Sequence, residues 1–142
     1  MRTVQQLLDD KGHEIQSVHP DDSVFDAIQK LASANIGSLI VIEDDRPVGI
    51  FTERDYARNV ILKGKSSPTT QIREVMTTRV IYVQPEQTVE ECMAIMTDKH
   101  IRHLPVLRDE KLIGMISIGD LVKSIIADQK FTIEQLQQFI QG

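Results

Sequence analysis

Residues 49–55 read GIFTERD and residues 114–120 read GMISIGD, the same punctuation written twice at an offset of 65 positions. Each stretch runs glycine, two apolar residues, a hydroxyl residue, two more residues, aspartate. Two physical readings compete. A strand that runs into a helix wants a Ser or Thr cap and an acidic residue in the first turn, so Thr52 with Asp55 and Ser117 with Asp120 can be purely structural. The sharper reading is that each stretch offers a hydroxyl and a carboxylate to a ligand.

Working outward, the same offset pairs Val18 with Val83, Pro20 with Pro85, Val24 with Val89, Ile36 with Ile101, Leu39 with Leu104 and Val41 with Val106, without a gap. Identities that fall on punctuating and apolar positions point to an internal duplication, and two copies are too few for a solenoid. Within each copy, EIQSV (14–18) and RVIYV (79–83) read as short strands. They stop at HPDDS and QPEQT, where proline ends the strand and Ser23 or Thr88 caps a helix. Val24, Ala27, Ile28 and Leu31, and in the second copy Val89, Cys92, Met93 and Met96, give each helix one apolar face. A hairpin follows, across EDDRP in one copy and RDEK in the other, and a last helix, RDYARNVILKG or GDLVKSIIADQ. The expected unit is β-α-β-β-α twice, an α/β (α+β) fold packed about a pseudo-two-fold axis, with short apolar helical turns at VQQLL and IREVM leading the copies. The boundaries read as 1–65 for the first repeat with its leading turn, 66–127 for the second, and 128–142 for a helical tail; GKSSPTT (64–70) is the linker-like stretch. In the tail, Phe131, Ile133, Leu136, Phe139 and Ile140 are expected to pack on their own domain, with an oligomer contact as the alternative.

The totals bound what such a chain does. At 142 residues there is room for one compact core but not for two large independent ones. With 41% hydrophobic and 26% charged residues, the composition is that of an ordinary globular protein. A net charge of −5 supplies no basic field for a phosphate backbone, so neither nucleic acid nor membrane is an expected partner. The single Cys92 excludes an intrachain disulfide, and the N-terminal residues lack a cationic-then-apolar leader, so a cytoplasmic location is expected.

Two β-α-β-β-α copies, each closing in glycine, apolar pair, Ser/Thr, two residues and aspartate, resemble a pair of CBS domains, the family named after cystathionine β-synthase. The likeness covers roughly residues 4–126, and pairing TERDYAR with SIGDLVKS is similar to small stand-alone bacterial members. The resemblance implies a regulatory module with two clefts for adenosine-containing ligands, AMP, ATP or NAD(H), and a homodimer stacked through helical faces. A regulated partner protein of unknown identity is implied with it. Two alternatives stay open: an S-adenosylmethionine sensor, and an interaction scaffold whose clefts are vestigial.

A carboxylate suits the vicinal hydroxyls of ribose because it accepts hydrogen bonds in two directions, which assigns Asp55 and Asp120 to ribose. Thr52 and Ser117, at the helix starts, are the phosphate residues. The family pattern further implies that each base wall comes from the other repeat. Glu14, Ile15, Ile36 and Gly37 would then serve the Asp120 cleft, and Thr78, Val80, Ile101 and Arg102 the Asp55 cleft. Arg102 and His103 bring donors toward phosphate, and Arg54 beside Asp55 makes that cleft the more cationic of the two. His100 and His103 straddle a helix end and a strand, so no metal site is expected. Neither a G-x-G-x-x-G stretch nor a P-loop is present, and no nucleophile has a plausible base, so no catalytic cofactor and no enzymatic activity are expected.

Overall fold

The computed structural model describes residues 2–141, which form two compact units. The first unit spans 15–81; the second combines 2–14 with 82–141. The units are therefore cut differently from the sequence repeats, and the leading helices explain how. Helix α1 (Val4–Lys11) docks on the turn that precedes the second repeat's central helix, with Val4 N–H donating to the Gln87 carbonyl at 2.8 Å and Gln5 N–H to that of Pro85 at 2.9 Å. Helix α4 (Ile72–Val75) does the same for the first repeat, with Ile72 N–H on Asp22 O at 2.9 Å and Arg73 N–H on Pro20 O at 2.8 Å. Each repeat is thus completed by the leading segment of the other.

In the first unit, β1 (Ser17–Val18) pairs parallel with β2 (Ser38–Glu43), which turns antiparallel into β3 (Arg46–Thr52). The hairpin turn places Asp44 and Asp45 at φ 53° and 62°, a conformation that Asp tolerates better than most side chains. Helix α2 (Val24–Ala34) begins where the Ser23 hydroxyl accepts from Asp26 N–H at 3.1 Å, and ends on Asn35 in the left-handed region. Its face Val24, Ala27 and Leu31 meets Leu39, Val41 and Phe51 from the strands, closing a core with Val18, Val60, Ile72 and Val75. The last helix is not the single α-helix expected. It opens as α3 (Glu53–Asp55) and widens into a π-helical segment over Tyr56–Ile61, whose Val60 is fully buried.

The second unit repeats the plan with two departures. Helix α5 (Val89–Lys99), capped by Thr88, packs behind the hairpin of β4 (His103–Arg108) and β5 (Lys111–Ser117). The strand expected over 79–83 is reduced to one parallel bridge between Val83 and Val106. Proline is the reason: position 105 corresponds to Ile40, whose N–H donates to Gln16 O in the first unit, and Pro105 has no N–H to give. The second departure is α6 (Ile118–Gln141), one continuous 24-residue helix that absorbs the tail. Phe131, Ile133, Leu136, Phe139 and Ile140 do not pack on their own domain as expected but are exposed, Phe139 at 85% and Ile140 at 81%. The hairpin and α5 already satisfy the core, and only Leu121 and Ser124 of α6 are buried.

Candidate functional site: two hydroxyl–carboxylate junctions

Each element of the repeated punctuation has a mechanical role. A Cβ on Gly49 would stand 2.8 Å from both Met76 Sδ and the Thr77 carbonyl, and one on Gly114 would stand 2.6 Å from Leu8 Cδ2. The glycines seat the residues of α1 and of the stretch after α4 directly on β5 and β3. The hydroxyl residues then cap: Thr52 Oγ1 accepts from Asp55 N–H and Ser117 Oγ from Asp120 N–H, both at 3.2 Å. The aspartates close the box, with Thr52 N–H on Asp55 Oδ2 at 2.9 Å and Ser117 N–H on Asp120 Oδ2 at 2.8 Å. The first helical N–H groups are also engaged, Glu53 N–H by Gly37 O at 3.2 Å and Ile118 N–H by Arg102 O at 2.9 Å.

The two carboxylates differ in what else holds them. Asp55, only 7% exposed, takes the Thr77 hydroxyl on Oδ1 at 2.8 Å and the Thr52 hydroxyl on Oδ2 at 3.2 Å. Asp120 takes the Lys11 ammonium on Oδ2 at 2.6 Å, and the same ammonium donates to Met115 O at 2.5 Å. The bonds from Lys11 and from the Ser117 backbone both fall on Oδ2. Counting two lone pairs per oxygen, the bonds named take roughly three acceptor positions of Asp55, over both oxygens, and roughly two of Asp120, both on Oδ2. Burial alone would raise the Asp120 pKa, but the hydrogen bonds from Lys11 and Ser117 and the Lys11 charge outweigh it and hold the carboxyl below its ordinary value.

Lys11 and Thr77 are the residues that sequence reasoning missed. Lys11 ends α1, whose Leu8 lies against Gly114, and Thr77 follows α4 and lies against Gly49. Of the residues named from sequence, the first unit holds Thr52, Arg54, Asp55, Ile15, Ile36, Gly37, Thr78 and Val80. The second holds Ser117, Asp120, Glu14, Ile101, Arg102 and His103. Gly37 and Arg102 lie at the helix starts of their own units, through the carbonyl bonds above, and His103 pairs with Ser117 across the hairpin. Burial, with the charges of Lys11 and Arg102, pushes His103 down to about 4 against the opposing pull of Asp120, so its imidazole is neutral near pH 7. Cys92 is fully buried and its thiol is pushed up to about 11, mainly by burial, in keeping with a core role. His19, Asp21 and Glu43 bring ligand atoms within 4.8 Å of one another, but the Arg73 guanidinium already bridges Asp21 and Glu43 at 2.8 Å each and supplies the cation there.

The model of the CBS domain matches residues 11–61 and 72–127. The chain is 41% identical over 127 residues to the CBS domain-containing protein CBSX3, mitochondrial, of Arabidopsis thaliana, covering 86% of this chain and 62% of that protein's length. A solved structure of a protein with CBS domains from Burkholderia ambifaria MC40-6 is 54% identical with a TM-score of 0.86, over 89% of this chain and 96% of that one. The CBS domain pair of protein MJ0100, solved with 5′-methylthioadenosine and S-adenosyl-L-methionine, covers 90% of this chain and 98% of that one at TM-score 0.79. At 23% identity it shares the fold alone. With both repeats matched and the doubled junction in place, the chain belongs to the CBS-domain family, as a pair of these regulatory ligand-binding repeats.

Proposed function

We propose that the chain is a sensor of adenosine nucleotides, AMP, ATP or NAD(H), in which Asp55 and Asp120 take the ribose hydroxyls and Thr52 and Ser117 lie toward the phosphate. The observation that carries this reading is that the capping box at Asp120 uses Oδ2 and makes no call on Oδ1. A carboxylate needed only for the box would be served equally well by an asparagine oxygen. The remaining residues named from sequence, Glu14, Ile15, Ile36, Gly37, Thr78, Val80 and Ile101, are assigned to adenine, and Arg54, Arg102 and His103 to phosphate. The proposal extends to a homodimer that passes ligand occupancy to a partner protein, to a cytoplasmic setting, and to a role without catalysis. Among the described residues no helix is long and apolar enough to cross a membrane.

Calorimetric titration of wild type, Asp55→Asn and Asp120→Asn with AMP, 2′-deoxy-AMP and GMP tests the assignment. Losing a hydrogen bond to a charged group lowers affinity by about ten- to a hundredfold, from roughly 1.5–3 kcal/mol. The deoxy ligand should weaken the wild type by a similar factor and, in an Asp55→Asn background, make little further difference to Asp120→Asn, since both changes remove one contact. GMP should bind much more weakly than AMP. Unchanged AMP affinity in both variants refutes the ribose assignment.

A further inference from the structure

The two junctions share geometry and differ in the group that sits on the aspartate. At Asp55 the group on the carboxylate, beyond the capping box, is the neutral Thr77 hydroxyl; at Asp120 it is the Lys11 ammonium. An incoming phosphorylated ligand therefore meets a neutral ion pair at Asp120, where without Lys11 it would meet a bare carboxylate on a chain of net charge −5. The side chains of Lys11 and Asp120 are 33% and 19% exposed, so the pair is screened less than a surface pair and remains reachable. The ammonium also has a third N–H beyond the two that bond Asp120 and Met115. The neighbouring His103, being neutral, cannot supply this charge.

We propose that Lys11 is a binding residue of the Asp120 site that reads ligand charge, making this site prefer adenosine carrying a phosphate over adenosine without one. This deepens the nucleotide reading and rests on it. A cation next to the ribose carboxylate also disfavours a positively charged sulfonium ligand at the same place.

The test is titration of AMP and adenosine into the full chain in an Asp55→Asn background, which leaves the Asp120 site as the reporter, with Lys11, Lys11→Met or Lys11→Arg. Lys11→Met should lower AMP affinity about tenfold or more, change adenosine affinity less than threefold, and make the AMP preference fall accordingly. Lys11→Arg should restore the preference, because it keeps the charge. Thermal unfolding of each variant without ligand confirms that it is folded. If AMP binds in an Asp120-dependent way and Lys11→Met leaves the AMP-to-adenosine ratio unchanged, or if Lys11→Arg fails to restore it, the charge-reading role is wrong and the nucleotide reading stands. If neither ligand binds the wild type, or Asp120→Asn changes nothing, the nucleotide reading falls and this role with it.

Discussion

His103 makes the stability of the second unit depend on pH in a calculable way. Burial, reinforced by the Lys11 and Arg102 charges, holds its imidazole at a pKa of about 4 instead of 6.5, with Asp120 pulling in the opposite direction. The unfolded chain therefore takes up a proton between pH 6.5 and 4 that the folded chain refuses. Stability from this group is complete above about pH 6.5 and is lost as pH falls toward 4. A depression of that size corresponds to about 3 kcal/mol, a large share of the roughly 5–15 kcal/mol that holds a typical domain together. Asp120 is also held below its ordinary value, so its contribution has the same sign but fades only below about pH 4, where an unfolded carboxyl begins to protonate. Urea unfolding of wild type and His103→Gln between pH 7 and 4 isolates the histidine by difference. The wild type should lose about 3 kcal/mol more than the variant over that range, with unchanged m-values. Parallel profiles would mean that His103 is hydrated in the fold and that its neighbours do not oppose its protonation.

Two further outcomes follow from packing. Gly49→Ala should destabilise by about 1–3 kcal/mol and by more than Gly114→Ala, because the new methyl meets the Thr77 backbone carbonyl in the first case and the end of the Leu8 side chain in the second. Chemical denaturation of both variants checks the order, and the reverse order would overturn it. Ile61 at the end of the π segment, Leu62 after it, and Val122 and Ile126 on α6 are 54%, 79%, 41% and 58% exposed. With these apolar groups uncovered, light scattering at micromolar concentration should give about twice the 16.1 kDa chain mass. A mass near 16.1 kDa would reject the homodimer.

Much of the fold was legible because its signals are local. Ser23 and Thr88 announce their helices within three residues, the three-and-four spacing marks the buried faces, and the turns Asp44–Asp45 and Asp109–Glu110 sit between apolar runs. The misses came from interactions that sequence neighbours do not encode. RVIYV has the composition of a strand, but whether it forms one depends on the donor opposite it, which is Pro105. The tail has an apolar pattern, but its burial depends on whether the core has room, and α6 runs past it. The candidate site divides in the same way. Asp55 and Asp120 announce themselves by the repeated motif, whereas Thr77 lies 22 positions from Asp55 and Lys11 lies 109 from Asp120. Lys11 reads locally as a cation in the last turn of α1 before Gly12, an ordinary helix ending, and only the exchange of leading helices brings it to a carboxylate.

That exchange also bears on the two readings of GIFTERD and GMISIGD, which turn out not to exclude one another. Capping requires one acceptor of the aspartate, on the oxygen that receives the backbone N–H of Thr52 or Ser117. The other oxygen is left to the surroundings, where Asp55 receives Thr77. A box that fixes the aspartate rotamer on one oxygen pre-organises the other, and a pre-organised acceptor binds a hydroxyl with less loss of side-chain freedom than a mobile one. The helix start therefore supports the site rather than competing with it. Asparagine is the informative replacement for this reason. Its single oxygen can still close the box, so the helix start survives, while its amide nitrogen presents a donor where the free acceptor stood. Alanine would remove both functions and leave a loss of binding indistinguishable from a frayed helix.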